Sequence, residues 1–80
     1  MDHNEFLELH AGCVAAMRAY VVEAEKSCTL LGKCTGQPLT FEERMALLCQ
    51  AITENDAHMS YLGAKSFLHG AALLGYGSLN

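Results

Sequence analysis

The sequence predicts an all-α protein, an antiparallel hairpin of two amphipathic helices over about residues 3–31 and 41–74 that assembles into a helical bundle. Apolar residues recur at intervals of three, four and seven along both halves of the chain, as helices require. A segment with glycine and proline, 33–39, separates the halves and predicts the loop. Hydrophobic residues make up 51% of the chain and charged residues 18%, which excludes intrinsic disorder.

The first helix is predicted to begin after Asp2, which stands three residues before Glu5 as in a capping box. Gly32 favours an end near Leu31, because glycine readily takes the left-handed conformation that stops a helix. Between these points the apolar face has three adjacent columns: Phe6, Cys13 and Tyr20; His10, Met17, Ala24 and Leu31; and Leu7, Val14, Val21 and Cys28.

The second helix is predicted to begin at Phe41, where Thr40 and Glu43 form a stronger capping box. The polar cluster 54–56 is a candidate break that would give three helices. Phase favours one continuous helix, since the apolar seam passes through the cluster without losing register. Gly75 is its predicted stop, residues 75–80 a frayed tail, and 1–80 a single helical domain with a cap region at 1–2. The seam reads Phe41, Met45, Leu48, Ile52, Asn55, Met59, Leu62, Ser66, His69 and Leu73.

A two-helix hairpin cannot cover all of this apolar surface, so the sequence predicts a homodimer or higher oligomer, or equally a complex with another protein. Asn55 either fixes the register of such an interface or caps a helix boundary. The small residues Gly63, Ser66 and Gly70 favour a close approach of another helix. Predicted interface residues are Met17, Tyr20, Phe41, Met45, Leu48, Ile52, Asn55, Met59 and Leu62. Apolar residues expected outside the main seams are Leu9, Ala15, Ala16, Ala19, Val22, Leu47, Tyr61, Phe67, Leu68 and Leu74.

Charge and motif content exclude several function classes. The formal charge is −4 and the five Lys and Arg residues are scattered, so the basic density that nucleic-acid binding needs is missing. The acidic start is unlike a signal peptide, and the apolar stretch 57–76 is too interrupted to cross a membrane, so a cytoplasmic location is expected. Without a glycine-rich phosphate loop, a Cys-x-x-Cys pair or a nucleophile context, neither an enzyme nor a bound cofactor is expected.

These observations lead to a small, non-enzymatic helical interaction protein, an adaptor, regulator or inhibitor that presents an apolar helix face to itself and to a protein target. The methionines Met17, Met45 and Met59 fit this hypothesis, because flexible thioether side chains suit adaptable interfaces.

An alternative is an oligomeric protein that sequesters a small anion such as a nucleotide. Arg44, His58 and Lys65 share one helical column, with Ala51 filling the gap, and Tyr61 lies one turn before Lys65. Such a column could hold a negatively charged ligand.

A second alternative is a thiol or metal switch. His10 and Cys13 are three residues apart on one helical face, but no second ligand pair follows, so no metal site is predicted. Among the four cysteines only Cys28 and Cys34 could join in a hairpin, and buried reduced thiols are expected.

Overall fold

The computed structural model describes residues 2–34 and 36–76. Helix α1 covers His3–Lys33 and helix α2 covers Phe41–Ala71, followed by one π-helical turn at Ala72–Tyr76. The two long helices pack against each other in an elongated body of 61 × 15 × 13 Å. The predicted all-α hairpin is therefore confirmed.

Both helices begin where the capping residues predict. The Glu5 N–H donates to Asp2 Oδ1 at 2.8 Å. At α2 the Glu43 N–H donates to Thr40 Oγ1 at 3.1 Å, and the Thr40 N–H donates to Glu43 Oε1 at 2.8 Å. The reciprocal pair satisfies two backbone donors that have no partner within the helix.

Helix α1 ends later than predicted. Gly32 stays helical and the helix runs to Lys33, where the N–H of Cys34 closes the last turn on the Leu31 carbonyl at 3.1 Å. Gly36 takes the left-handed conformation instead, with φ of 87°. Glycine permits a helix end without requiring one, and here the turn lies four residues further on.

Helix α2 is continuous through 54–56, so the break considered there does not occur. It ends as an α-helix at Ala71 rather than near residue 74, because the backbone widens to a π-turn over Ala72–Tyr76. The predicted stop at Gly75 therefore falls inside that turn. Residues 77–80 of the predicted tail lie outside the described residues.

The helices meet along one half-buried heptad row on each helix, which we call the contact seam. Among the described residues only Cys13, at 9% exposure, is buried, and no side chain is fully buried. The prediction that Leu9, Ala16, Leu47, Tyr61 and Leu68 lie outside the main seams is wrong, because all five are half-buried in this row. The contact seam comprises Phe6, Leu9, Cys13, Ala16, Tyr20, Glu23, Ser27 and Leu30 on α1 and Leu47, Gln50, Glu54, Ala57, Tyr61, Ala64, Leu68 and Ala71 on α2.

A polar layer crosses the middle of the contact seam. Gln50 Nε2 donates to the Glu23 carbonyl at 3.0 Å and to Glu23 Oε1 at 3.1 Å. Lys26 Nζ donates to Glu23 Oε2 at 3.2 Å. Because the Gln50 bonds need both helices in one alignment, this layer sets their register.

Candidate interaction surface

The row of α2 with the most large apolar side chains faces away from α1. This outer seam is the row predicted from the heptad pattern: Phe41, Met45, Leu48, Ile52, Asn55, Met59, Leu62, Ser66, His69 and Leu73. Its large apolar side chains range from 39% exposed at Leu62 to 85% at Leu73. A row with the composition of a helix-packing core is thus open to solvent in the single chain.

Helical geometry explains this orientation. Ile52 lies midway between Gln50 and Glu54 of the contact seam, so it is rotated by roughly 200° from each and points away from α1. Met45 and Met59 repeat the position one heptad before and after. Leu48, Asn55 and Leu62 each follow a contact-seam residue directly, about 100° round the helix, so they point sideways and outwards.

Helix α1 carries a second, smaller apolar row, which we call the α1 stripe. Each member directly follows a contact-seam residue and is therefore turned by about 100° from it. Met17 is 39% exposed and Leu31 is 58% exposed, whereas Val14 and Ala24 are half-buried. The stripe comprises Leu7, His10, Val14, Met17, Val21, Ala24, Cys28 and Leu31.

The α1 stripe and the outer seam adjoin at a groove between the helices. This groove has a volume of about 440 Å³, and Leu31 of the stripe and Asn55 of the outer seam both line it. The rest of its lining combines apolar with polar and charged side chains: Ser27, Leu47, Gln50, Ala51, Glu54 and His58. Each of the two exposed rows therefore contributes one residue to this groove.

The two exposed rows differ from the half-buried contact seam in their charged residues. Neither the outer seam nor the α1 stripe contains an Asp, Glu, Lys or Arg. The contact seam contains Glu23 and Glu54. Charged residues are depleted at the centres of protein interfaces, so the exposed rows have the composition expected of a surface that another protein covers.

The structure brings together three of the four residues of the anion-binding hypothesis and adds Tyr20. The ring of Tyr20 stacks on His58, with centroids 4.7 Å apart, and on Tyr61, with centroids 6.3 Å apart. Lys65 Nζ lies 5.7 Å from the Tyr61 ring centroid. Arg44 is fourteen residues before His58 on the same helix, about 21 Å along its axis, so one small anion cannot contact both in one chain.

The residues of the thiol and metal hypothesis are dispersed. Cys13 is buried, whereas His10 and Cys28 are exposed and Cys34 is half-buried. All four cysteines are free, and the expectation of buried thiols is wrong for Cys28 and Cys49, which are exposed. Within residues 2–34 and 36–76 no three His, Cys, Asp or Glu side chains are grouped so that they could hold a metal ion.

No protein-family model matches the chain, and no curated protein and no solved structure shows a significant match to it. Among the described residues, neither long helix contains a segment that is both long enough and apolar enough to cross a membrane.

Sequence reasoning placed Phe6, Cys13 and Tyr20 of the contact seam on the apolar face of α1 but missed its α2 half. Leu47, Tyr61 and Leu68 share one heptad column, and this periodicity was the available signal. The column was hidden because Glu54 occupies its remaining position and Gln50 lies beside it. These polar residues make the row look like a solvated face.

Proposed function

We propose that the protein is a small, non-enzymatic helical interaction protein, an adaptor, regulator or inhibitor, that works through the apolar surface formed by the outer seam and the α1 stripe. The observation that carries this proposal is the exposure of two uncharged heptad rows on a hairpin whose own contact buries only Cys13 among the described residues. Large apolar side chains exposed side by side in rows typically mark a surface that another protein covers.

Energetics support the same proposal. Burial of a large apolar side chain contributes roughly 1.5–3 kcal/mol. Ile52 is 54% exposed and Met59 61% exposed, so each leaves much of that contribution unrealised in the single chain. Covering several such side chains at once provides the driving force for association with itself and with a protein target.

The first experiment combines sedimentation velocity with binding of a hydrophobic fluorescent dye, using the full chain over a range of concentrations. The proposal predicts self-association, with dye binding per chain falling as the chains associate. A monomer at every concentration that binds no dye would contradict it.

Adjacent valines provide a matched pair of variants. Val21 belongs to the α1 stripe and is 44% exposed, whereas Val22 lies outside both exposed rows and is 48% exposed. Val21→Glu should reduce dye binding more than Val22→Glu, because only the first puts a charge into the proposed surface. Equal losses would show that the dye reports general exposure.

A second candidate function is the binding of a small anion, and the stacked rings of Tyr20, His58 and Tyr61 beside Lys65 favour it. A nucleotide base could stack on these rings while its phosphate pairs with the ammonium group. A thermal-shift screen of nucleotides and phosphorylated metabolites tests this function. Lys65→Ala should abolish any shift, and Arg44→Ala should do so only if a second chain supplies Arg44. No shift across the panel would remove this candidate.

A further inference from the structure

We infer that a second copy of this chain covers the outer seam, α2 packing on α2 with Asn55 of each copy at the centre of the contact, while the α1 stripe stays accessible to the protein target. This inference rests on the proposed function and assigns a partner to each part of the same surface.

The exposed area matches what a dimer of this size needs to cover. The chain exposes 5978 Å², whereas a compact monomer of 8.7 kDa exposes about 4,700 Å², so the excess is about 1,200 Å². A standard interface covers about 800 Å² on each partner, and obligate dimers cover more. Part of this excess follows from the elongated 61 × 15 × 13 Å shape, and the whole is larger than the area that one partner covers, so the chain has enough exposed surface for an interface with one copy of itself.

The position of the outer seam admits a second hairpin without obstruction. Because Met45, Ile52 and Met59 point directly away from α1, a helix docked on them lies on the far side of α2. The seam extends over about 48 Å from Phe41 to Leu73, with the alternating steps of three and four residues that pack two helices side by side.

Asn55 favours a copy over an unrelated partner. It is exposed on the outer seam, flanked by Ile52 and Met59. A buried amide needs both donors and acceptors, and a two-fold axis at this position provides them from the second Asn55. A polar residue near the middle of such a row can fix register and oligomeric state, which is one of the two roles that the sequence predicts for Asn55.

The charges that flank the outer seam also permit self-association. Glu42 and Asp56 are balanced by Arg44 and Lys65, although the whole chain carries a formal charge of −4. The flanks of the seam thus have no net charge, so two copies can approach on this face without the repulsion that a surface of one sign would produce.

Photo-crosslinking tests the inference in the full chain. Asn55→p-benzoylphenylalanine should give a covalent dimer on irradiation, and Thr53→p-benzoylphenylalanine should not. Thr53 is exposed on the same helix two residues away but lies outside the outer seam, which makes it the matched control. The dimer should form whether the two α2 helices run parallel or antiparallel, because Asn55 is central in both.

Sedimentation of two charge variants provides a second, independent measurement. Ile52→Glu should weaken self-association by about 30-fold or more, since it puts an unpaired charge into the covered row, and Thr53→Glu should leave it unchanged. If Ile52→Glu fails to fold, the crosslink at position 55 still decides.

Failure of this inference and failure of the proposed function would give different results. A protein that sediments as a dimer but gives no crosslink at position 55, and that is dissociated by Val21→Glu instead, would overturn the assignment of the second copy to the outer seam while leaving the proposed function intact. A monomer that binds no hydrophobic dye would overturn both.

Discussion

On α2, the half-buried contact seam includes polar and charged side chains, whereas the exposed outer seam has mainly large apolar side chains. The contact seam lies between the helices and includes Gln50 and Glu54. The outer seam faces solvent and includes Phe41, Leu48 and Ile52. In a protein that works alone, the row with the most large apolar side chains would face inwards, because burial of apolar area is the main driving force of folding. This inversion indicates that the two rows have different tasks.

The contact seam defines geometry. Its central hydrogen bonds from Gln50 to Glu23 require one alignment of the helices, whereas small residues such as Ala57 and Ala64 contribute little apolar area. The outer seam has large side chains and no charge, so it contributes mainly the free energy of burial once it is covered. Under the proposed function, alignment within the chain and association between chains therefore depend on different residues.

Truncation of Tyr20 should produce the largest loss of stability within the hairpin. Tyr20→Ala removes the ring that stacks on both His58 and Tyr61 across the contact seam, and we expect a loss of about 2–3 kcal/mol in the free energy of unfolding. Chemical denaturation at fixed protein concentration measures it. Arg18→Ala on the exposed side of α1 should change stability by less than about 0.5 kcal/mol. Equal effects of the two changes would show that the ring stack does not hold the helices together.

Replacement of Asn55 by an apolar residue tests the outer seam through a change that should strengthen self-association rather than weaken it. Asn55→Leu replaces the polar outer-seam position between Ile52 and Met59 by an apolar one, so we expect self-association to tighten by about tenfold and the oligomers to become mixed in size. Sedimentation equilibrium measures both effects. Thr53→Leu, which adds an apolar residue outside the seam, should leave the oligomeric state unchanged. A purely monomeric Asn55→Leu protein would argue against an interface on this face.

The sequence predicts the hairpin, both helix starts and the continuity of α2, because these features depend on local signals. The side chains of Asp2 and Thr40 bond within their own helix turns, and periodicity through Asn55 is a property of one helix. The α2 half of the contact seam was not predicted, since choosing between two heptad rows of one helix depends on the partner helix. The row with the most large apolar side chains was the natural choice for the core, and Gln50 reveals its role only when Glu23 lies opposite it.

Loss of the α2 cap should have a smaller, local effect. Thr40→Ala removes the hydroxyl that accepts from the Glu43 N–H, and we expect a loss of about 1 kcal/mol. Thr53→Ala is the control, because its hydroxyl donates to the Cys49 carbonyl in the middle of the same helix, where no backbone donor depends on it. Circular dichroism during thermal unfolding compares the two variants. If they lose equal stability, the cap does not contribute specifically.

The smallest predicted effect is a dependence of stability on acid pH. Hydrogen bonds from the Thr40 backbone and side chain lower the pKa of Glu43, and those from Gln50 and Lys26 lower the pKa of Glu23. A carboxyl whose pKa is lower in the folded than in the unfolded state stabilises the fold above its unfolded value, here about 4.5, and this contribution is lost as the pH falls through the folded pKa. The melting temperature should therefore fall as the pH drops below about 4.5.

Glutamine variants separate this titration from other acid effects. Glu43→Gln can keep the capping geometry without a titrating group. It should therefore reduce the fall of the melting temperature at acid pH while leaving the helix start intact. Glu42→Gln removes the same charge from the same turn but not the hydrogen bond to Thr40, and it should leave this fall steeper than Glu43→Gln does. The same pH profile in both variants would assign the pH dependence to Glu23 or to the overall charge of the turn. A steeper fall of the melting temperature in Glu42→Gln than in Glu43→Gln would assign the pH dependence to the hydrogen bond between Thr40 and Glu43. This bond lies within one helix turn, so its contribution does not depend on a partner at the outer seam.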